Sequence, residues 1–254
     1  MRREFFLLVV LLALPLPASA WGPRGHAVVA HLAAMNLTPQ AHATVATLLG
    51  GEAEAMMAIS ANWADEVRDA RPQTAHWHYV NLAIGGDLRY RPGRDCPREA
   101  CVVAQIARQE AVLRSNAPRE RKTEALKYLI HFAGDIQQPL HAADNDDRGG
   151  NRVLIRWRGQ RITLHHFWDD EMVALQGRDA RAIDQSSRRQ AQQLGAGSPS
   201  LWAERSAVIA RDTIYPRTGR PPSLTEVAEY GRIARTQLAR SGYALAARLN
   251  AILK

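Results

Sequence analysis

ALKYLIHFAGDIQQPLH (residues 125–141) has the spacing of a helix that carries chemistry on one of its sides. On an α-helix His131 and Asp135 lie four residues apart, so their side chains point the same way, about 6 Å apart along the axis. Leu126, Leu129, Ile130 and Ala133 form an apolar stripe on the opposite side, which predicts a core-facing helix. The His131/Asp135 edge, flanked by Tyr128 and Phe132, is then expected to line a cleft. Gln137-Gln138-Pro139 ends the helix, and the chain turns to bring His141 nearby.

Outward from this stretch, most of the chain reads as helix. Residues 26–37 are apolar and helical, and 38–51 open on a Thr cap with Pro behind it and close on Gly. Helical composition continues over 99–115, 119–136, 165–176, 179–194, 199–213 and 223–253, with Gly, Pro and Asp clusters between. RVLIRWRGQRITL (152–164) differs: β-branched and aromatic residues flank Arg158-Gly159-Gln160, which predicts a small hairpin. The expectation is a mainly α fold, a single helical domain over 21–254 with one β excursion.

The first 20 residues carry Arg2 and Arg3, an apolar run from Phe5 to about Leu16, and then Pro17-Ala18-Ser19-Ala20. That order is the pattern of a secretory signal peptide, and cleavage after Ala20 would make Trp21 the new amino terminus. The protein is therefore expected to be exported, to a periplasm or to the medium. Losing Arg2, Arg3 and Glu4 lowers the formal charge of +8 by one, and the remaining basic excess favours anionic partners without choosing among them. The two cysteines, Cys96 and Cys101, are expected to form one small disulfide in an oxidising compartment. Asn36-Leu37-Thr38 is a glycosylation sequon, followed by Pro39.

Further His/Asp groups join His131 and Asp135. LHHFWDDEM offers His165 with Asp169 or His166 with Asp170, and spacing alone does not choose between them. ANWADEVR and AHWHYVN add Asp65, Arg68, His76 and His78, and His26 follows the new terminus. Imidazole and carboxylate are the ligand types zinc takes when thiolates are absent. A free amine and carbonyl at Trp21 can also close a five-membered chelate on a metal. The alternative is that Trp21 is an arbitrary first residue packed on the surface.

The order WGxxGH, WADxxR, HYVN, HFxGDxxQPLH, GGN and LHxxWD, running from residue 21 to about 170, resembles the zinc-dependent single-strand nucleases, the S1/P1 type together with mung bean nuclease and the plant endonucleases. The resemblance implies a helical fold with three zinc ions in a cleft. One ion would take Asp65, His78, His131 and Asp135. A second would take Trp21, His26 and Asp135, which then bridges the pair. The third would take His141, His165 and Asp169, leaving His166, Asp170, His76, His31 and His42 as bystanders.

The same resemblance assigns catalytic roles to Asp65, Asp135 and Arg68, with Arg68 beside the scissile phosphate. Two of the zinc ions would activate water for in-line attack on phosphorus, and the third would stabilise the departing 3′ oxygen. Products would carry 5′-phosphates, and 3′-nucleotidase activity is implied as well. Tyr79 matches an aromatic that stacks on a nucleobase, the alternative being a core tyrosine beside Trp77. Asn81 stands where some relatives have a base-edge carboxylate. The expected partners are single-stranded DNA, RNA and nucleotides, met by a monomer away from membranes. Rival readings are a zinc phospholipase C and a non-catalytic metal or nucleic-acid binder.

Overall fold

The computed structural model describes residues 21–177, 179–195 and 197–254. The expected signal peptide, residues 1–20, lies outside the described residues. Helix α1 (Pro23–Ala34) starts on a proline, whose missing N–H costs nothing at a helix start. Helix α2 (Pro39–Leu49) is capped by Thr38, whose Oγ1 accepts from Ala41 N at 3.2 Å, and stops at Gly50 with φ 77°. Helix α3 (Ala53–Ser60) follows, capped by the Glu52 carboxylate. Its eight residues are too few to display a periodic pattern, so the sequence carries no separate sign of it.

A helical turn (Trp63–Glu66) and a 3-10 segment (Pro72–His78) then carry the chain to α4 (Val102–Arg114) and α5 (Arg119–Asp135). The disulfide Cys96–Cys101 closes the loop just before α4, which therefore starts three residues later than its composition suggests. After α6 (Ala180–Gly195) and α7 (Pro199–Ile209), the chain ends in α8 (Leu224–Ile252). The expected helix near 165–176 is present as Leu164–His166 and Met172–Ala174, joined through a wider π turn at Phe167–Glu171. Such turns recur at functional sites because the extra residue re-aims a side chain. No helix among the described residues is long and apolar enough to cross a membrane.

Strands are few among the described residues. β1 (Leu82–Ala83) lies parallel to β2 (Ala143–Asp144), tying the segment after His78 to the segment after His141. β3 (Leu154–Trp157) and β4 (Gln160–Thr163) form an antiparallel hairpin through Arg158 (φ 47°) and Gly159 (φ 83°), in keeping with the expected hairpin.

Helix α8 packs along α1 and α6, and α5 lies among α1, α3, α4 and α8. The α1–α8 crossing is close: a Cβ on Gly242 would sit 2.4 Å from Leu32 Cβ, so only glycine lets these helices approach. Burial of α5 exceeds its expectation. Every residue from Tyr128 through Asp135 is buried, and the polar edge faces neighbouring helices and not an open cleft. The apolar stripe and the polar edge are both interior because α5 is surrounded by packed elements, a fact its own periodicity cannot carry.

Candidate metal centre

Asp135 is the hub. One oxygen, Oδ1, lies 3.3 Å from His26 Nε2, while Oδ2 lies 3.1 Å from His78 Nδ1 and 3.3 Å from His131 Nε2. Asp65 Oδ1 adds contacts at 3.6 Å to His78 and 3.7 Å to His131. The two oxygens of Asp135 thus face two different ligand sets. A third set stands apart, with His141 Nε2 and His165 Nε2 3.0 Å apart and Asp169 Oδ2 3.1 Å from His165 Nε2. Three groups among the described residues could hold a metal ion: His26 with His131 and Asp135, Asp65 with His78 and His131, and His141 with His165 and Asp169.

Each ligand arrives from its own element. α1 brings His26, the turn at Trp63–Glu66 brings Asp65, and the 3-10 segment ends on His78. α5 brings His131 and Asp135, the turn Pro139–His141 brings His141, and the segment from Leu164 brings His165 and Asp169. Gly134 makes room: a Cβ there would lie 2.9 Å from His26 Nδ1 and 3.7 Å from Trp21 Cδ1. Trp21 is fully buried beside this group, which removes the alternative of a surface residue.

The imidazoles are oriented from behind. His131 Nδ1 donates to Ala61 O at 2.8 Å, His141 Nδ1 to His78 O at 2.8 Å, and His165 Nδ1 to Gly149 O at 2.6 Å. A proton held on Nδ1 leaves Nε2 with its lone pair aimed at the neighbouring ligands. Gln138 stands in the HFxGDxxQPLH motif, which gave it no role beyond ending the helix. Its Nε2 donates to Asp169 Oδ1 at 2.6 Å, and its Oε1 accepts from Leu140 N at 2.5 Å. The signal for it was the QQPLH stretch, which reads only as a helix end until Asp169 is seen beside it.

The donor set fits zinc. Nε2 of His26, Oδ1 of Asp135 and both oxygens of Asp65 are buried with no hydrogen-bond partner. Leaving such a group unsatisfied costs about 1–3 kcal/mol, so four of them around the Asp135 hub call for a cation. Bonds of about 2.0–2.1 Å in a tetrahedron put neighbouring ligand atoms about 3.4 Å apart, close to the spacings found here.

The protein groups alone are under electrostatic tension. Burial, then His131, pushes His26 down to about 4. Burial would also lower His131, but Asp135 and Asp65 outweigh it and raise it to about 9. Asp135 is held well below the usual carboxylate range, its burial being outweighed by His131, His26 and His78. Burial, then His141, pushes His165 down to about 3, and burial pushes Asp169 well up.

Above His78, His141 and His165 opens a cavity of about 220 Å³ whose wall includes Arg68, Tyr79, Asn81, Arg148 and Asn151. Arg68 Nη1 lies 3.3 Å from Asp65 Oδ1. Tyr79 is half-buried in this wall, and it is Trp77 that packs edge-on against Tyr128 in the core. His76 joins none of the three ligand groups and is hydrogen-bonded to the Tyr79 hydroxyl at 2.6 Å, so it supports that side chain. His31 and His42 form exposed pairs with Glu54 and Glu52, and His166 pairs with Asp170 at 3.0 Å, both half-exposed.

Residues 21–254 match the family described as S1/P1 Nuclease. The chain is 30% identical over 263 residues to Endonuclease 2 of Arabidopsis thaliana, covering 91% of this chain and 90% of that protein. It is 34% identical to Nuclease P1 of Penicillium citrinum over 60% of this chain and 58% of that protein. To Nuclease S1 of Aspergillus oryzae it is 30% identical over 63% of this chain and 57% of that protein. A helical fold, three His/Asp groups, two of which reach one cavity through His78, His141 and His165, and a family match along the whole described length lead to one conclusion: the chain belongs to the S1/P1 nuclease family.

Proposed function

We propose that this chain is an exported, zinc-dependent phosphodiesterase that cuts single-stranded DNA and RNA to 5′-phosphorylated products and removes 3′-phosphates from nucleotides. The observation that carries this reading is a cavity walled by Arg68, Tyr79 and ligands of two of the groups, His78, His141 and His165, with the third group joined to His78 through Asp135. In the proposal Asp65, His78, His131 and Asp135 hold one zinc ion. His26, Asp135 and the amine and carbonyl of Trp21 hold a second, and His141, His165 and Asp169 hold a third. Zinc held there supplies Lewis acidity, both toward water, whose pKa it lowers to about 7, and toward phosphoryl oxygens.

The chain's own residues do the rest. Arg68 binds the reacting phosphate and stabilises the charge that grows on it, with Asp65 fixing the guanidinium from one side. Tyr79 offers a ring on which any base can stack, and His76 holds that ring by its hydroxyl. Stacking needs an unpaired base, which favours single strands over duplex. Gln138 keeps Asp169 pointed at His165, and Gly149 keeps His165 turned toward His141.

The test is an assay of protein beginning at Trp21 on denatured DNA, duplex DNA, RNA and phosphatidylcholine emulsions, with metal content measured on the same sample. Cleavage of single strands with 5′-phosphate ends is expected, and Arg68→Ala should lower turnover without loss of metal. Hydrolysis of the lipid in place of the strands would point to a phospholipase. Tight strand binding with no turnover by the zinc-loaded protein would point to a binder.

A further inference from the structure

Arg148 stands in the cavity wall but outside the three ligand groups. It is exposed at the rim of the cavity it shares with Arg68 and Tyr79, and its guanidinium forms no ion pair or hydrogen bond among the described residues. Among the residues lining the cavity none is acidic, so nothing in that wall neutralises it.

The backbone holds this side chain in place at a cost. Arg148 has φ 61°, a left-handed conformation uncommon for a residue with a Cβ. The loop enforces it. Asp144 Oδ1 accepts from Asp147 N and Gly149 N, both at 3.1 Å. Asp147 Oδ1 accepts from Gly150 N at 2.7 Å and from the Tyr215 hydroxyl at 2.9 Å. The next residue, Gly149, accepts from His165 through its carbonyl. The loop that orients a candidate metal ligand therefore also fixes the base of Arg148. An arginine kept where glycine would relax the backbone points to use of its side chain.

We propose that Arg148 binds a second backbone phosphate of the strand, next along from the phosphate that Arg68 and the metal groups engage. This rests on the nuclease reading above. Arg68 is already committed to Asp65 and the reacting phosphate, whereas Arg148 has its whole charge available at the rim, where a strand must leave the cavity. A guanidinium with no neighbouring acceptor to fix its plane suits a phosphate better than the edge of one base. Arg148 thus makes the site prefer chains over isolated nucleotides.

The experiment measures binding of zinc-loaded protein to a labelled phosphorothioate oligothymidylate by fluorescence anisotropy across a salt series. Dithymidine monophosphate, likewise as its phosphorothioate and with a single phosphate, serves as a competitor. Arg148→Ala should flatten the slope of log affinity against log salt by about 0.7, the loss of one phosphate contact on a single strand. Affinity for dithymidine monophosphate should stay the same, and Arg148→Lys should keep the slope. Arg148→Gly should flatten the slope by the same amount with a Tm at or above that of the parent, which separates binding from folding.

An unchanged slope in Arg148→Ala would overturn the proposal. So would an equal loss for dithymidine monophosphate, or an effect seen with oligothymidylate and absent with oligoadenylate, which would mark base recognition instead. If the parent protein neither binds nor cuts the strand, the nuclease reading itself fails, and that result is visible before any variant is made.

Discussion

Gly134→Ala sets two effects of opposite sign against each other. In a helix interior, alanine is better than glycine by about 1 kcal/mol, and position 134 lies within α5. Against this, the new Cβ would lie 2.9 Å from Nδ1 and 3.1 Å from Cε1 of His26, several tenths of an ångström too close. A flexible side chain would swing away. The His26 ring cannot, because its other face is stacked on His131 with centroids 3.9 Å apart and both rings are fully buried. Overpacking of this kind costs about 1–3 kcal/mol, so the steric term wins. With about 1 kcal/mol regained from the helix, the net loss is up to about 2 kcal/mol, which in a chain of this size lowers Tm by up to about 8 °C.

The same shift moves His26 Nε2 off its 3.3 Å approach to Asp135 Oδ1. Metal analysis should therefore show one ion lost or weakened, while the group of His141, His165 and Asp169 keeps its own. Differential scanning calorimetry and elemental analysis on one preparation check both halves. A Gly134→Ala protein that melts higher than its parent and holds its full complement of metal would refute the reasoning.

Asp135→Asn should lose two metal ions where a singly used ligand loses one, since its two oxygens face separate ligand sets; elemental analysis reads the count. On the proposed chelation by Trp21, adding one residue ahead of it should abolish most activity, measured as turnover on denatured DNA beside protein that begins at Trp21. Glu226 is held down to about 2 from 4.5 by Arg220 and the Ser223 cap, so its stabilising contribution is present above pH 4.5 and lost as pH falls toward 2. Glu226→Gln should accordingly flatten the acid limb of the Tm-against-pH curve over that interval.

The helical character of the chain and the hairpin at 152–164 were legible in the sequence because both are written in local periodicity and turn chemistry. So was the pairing of His131 with Asp135, since a spacing of four on a helix aligns two side chains whatever surrounds them. Periodicity gives directions relative to one axis and nothing more. It left His165/Asp169 and His166/Asp170 equivalent by spacing, and the fold separates them by turning the first pair inward against His141 and leaving the second half-exposed. It treated the His131/Asp135 edge as an open cleft wall, whereas α1, α3, α4 and α8 enclose α5 and bury both residues.

Gln138, Arg148 and His76 carry no local signal of their roles, which come from a partner side chain or from a wall built by several elements. Local chain chemistry dictates which residues travel together on one helix or one turn. Which of those faces meet is settled by packing. That choice depends on how surrounding elements exclude water, a property of the packed whole that no single segment holds.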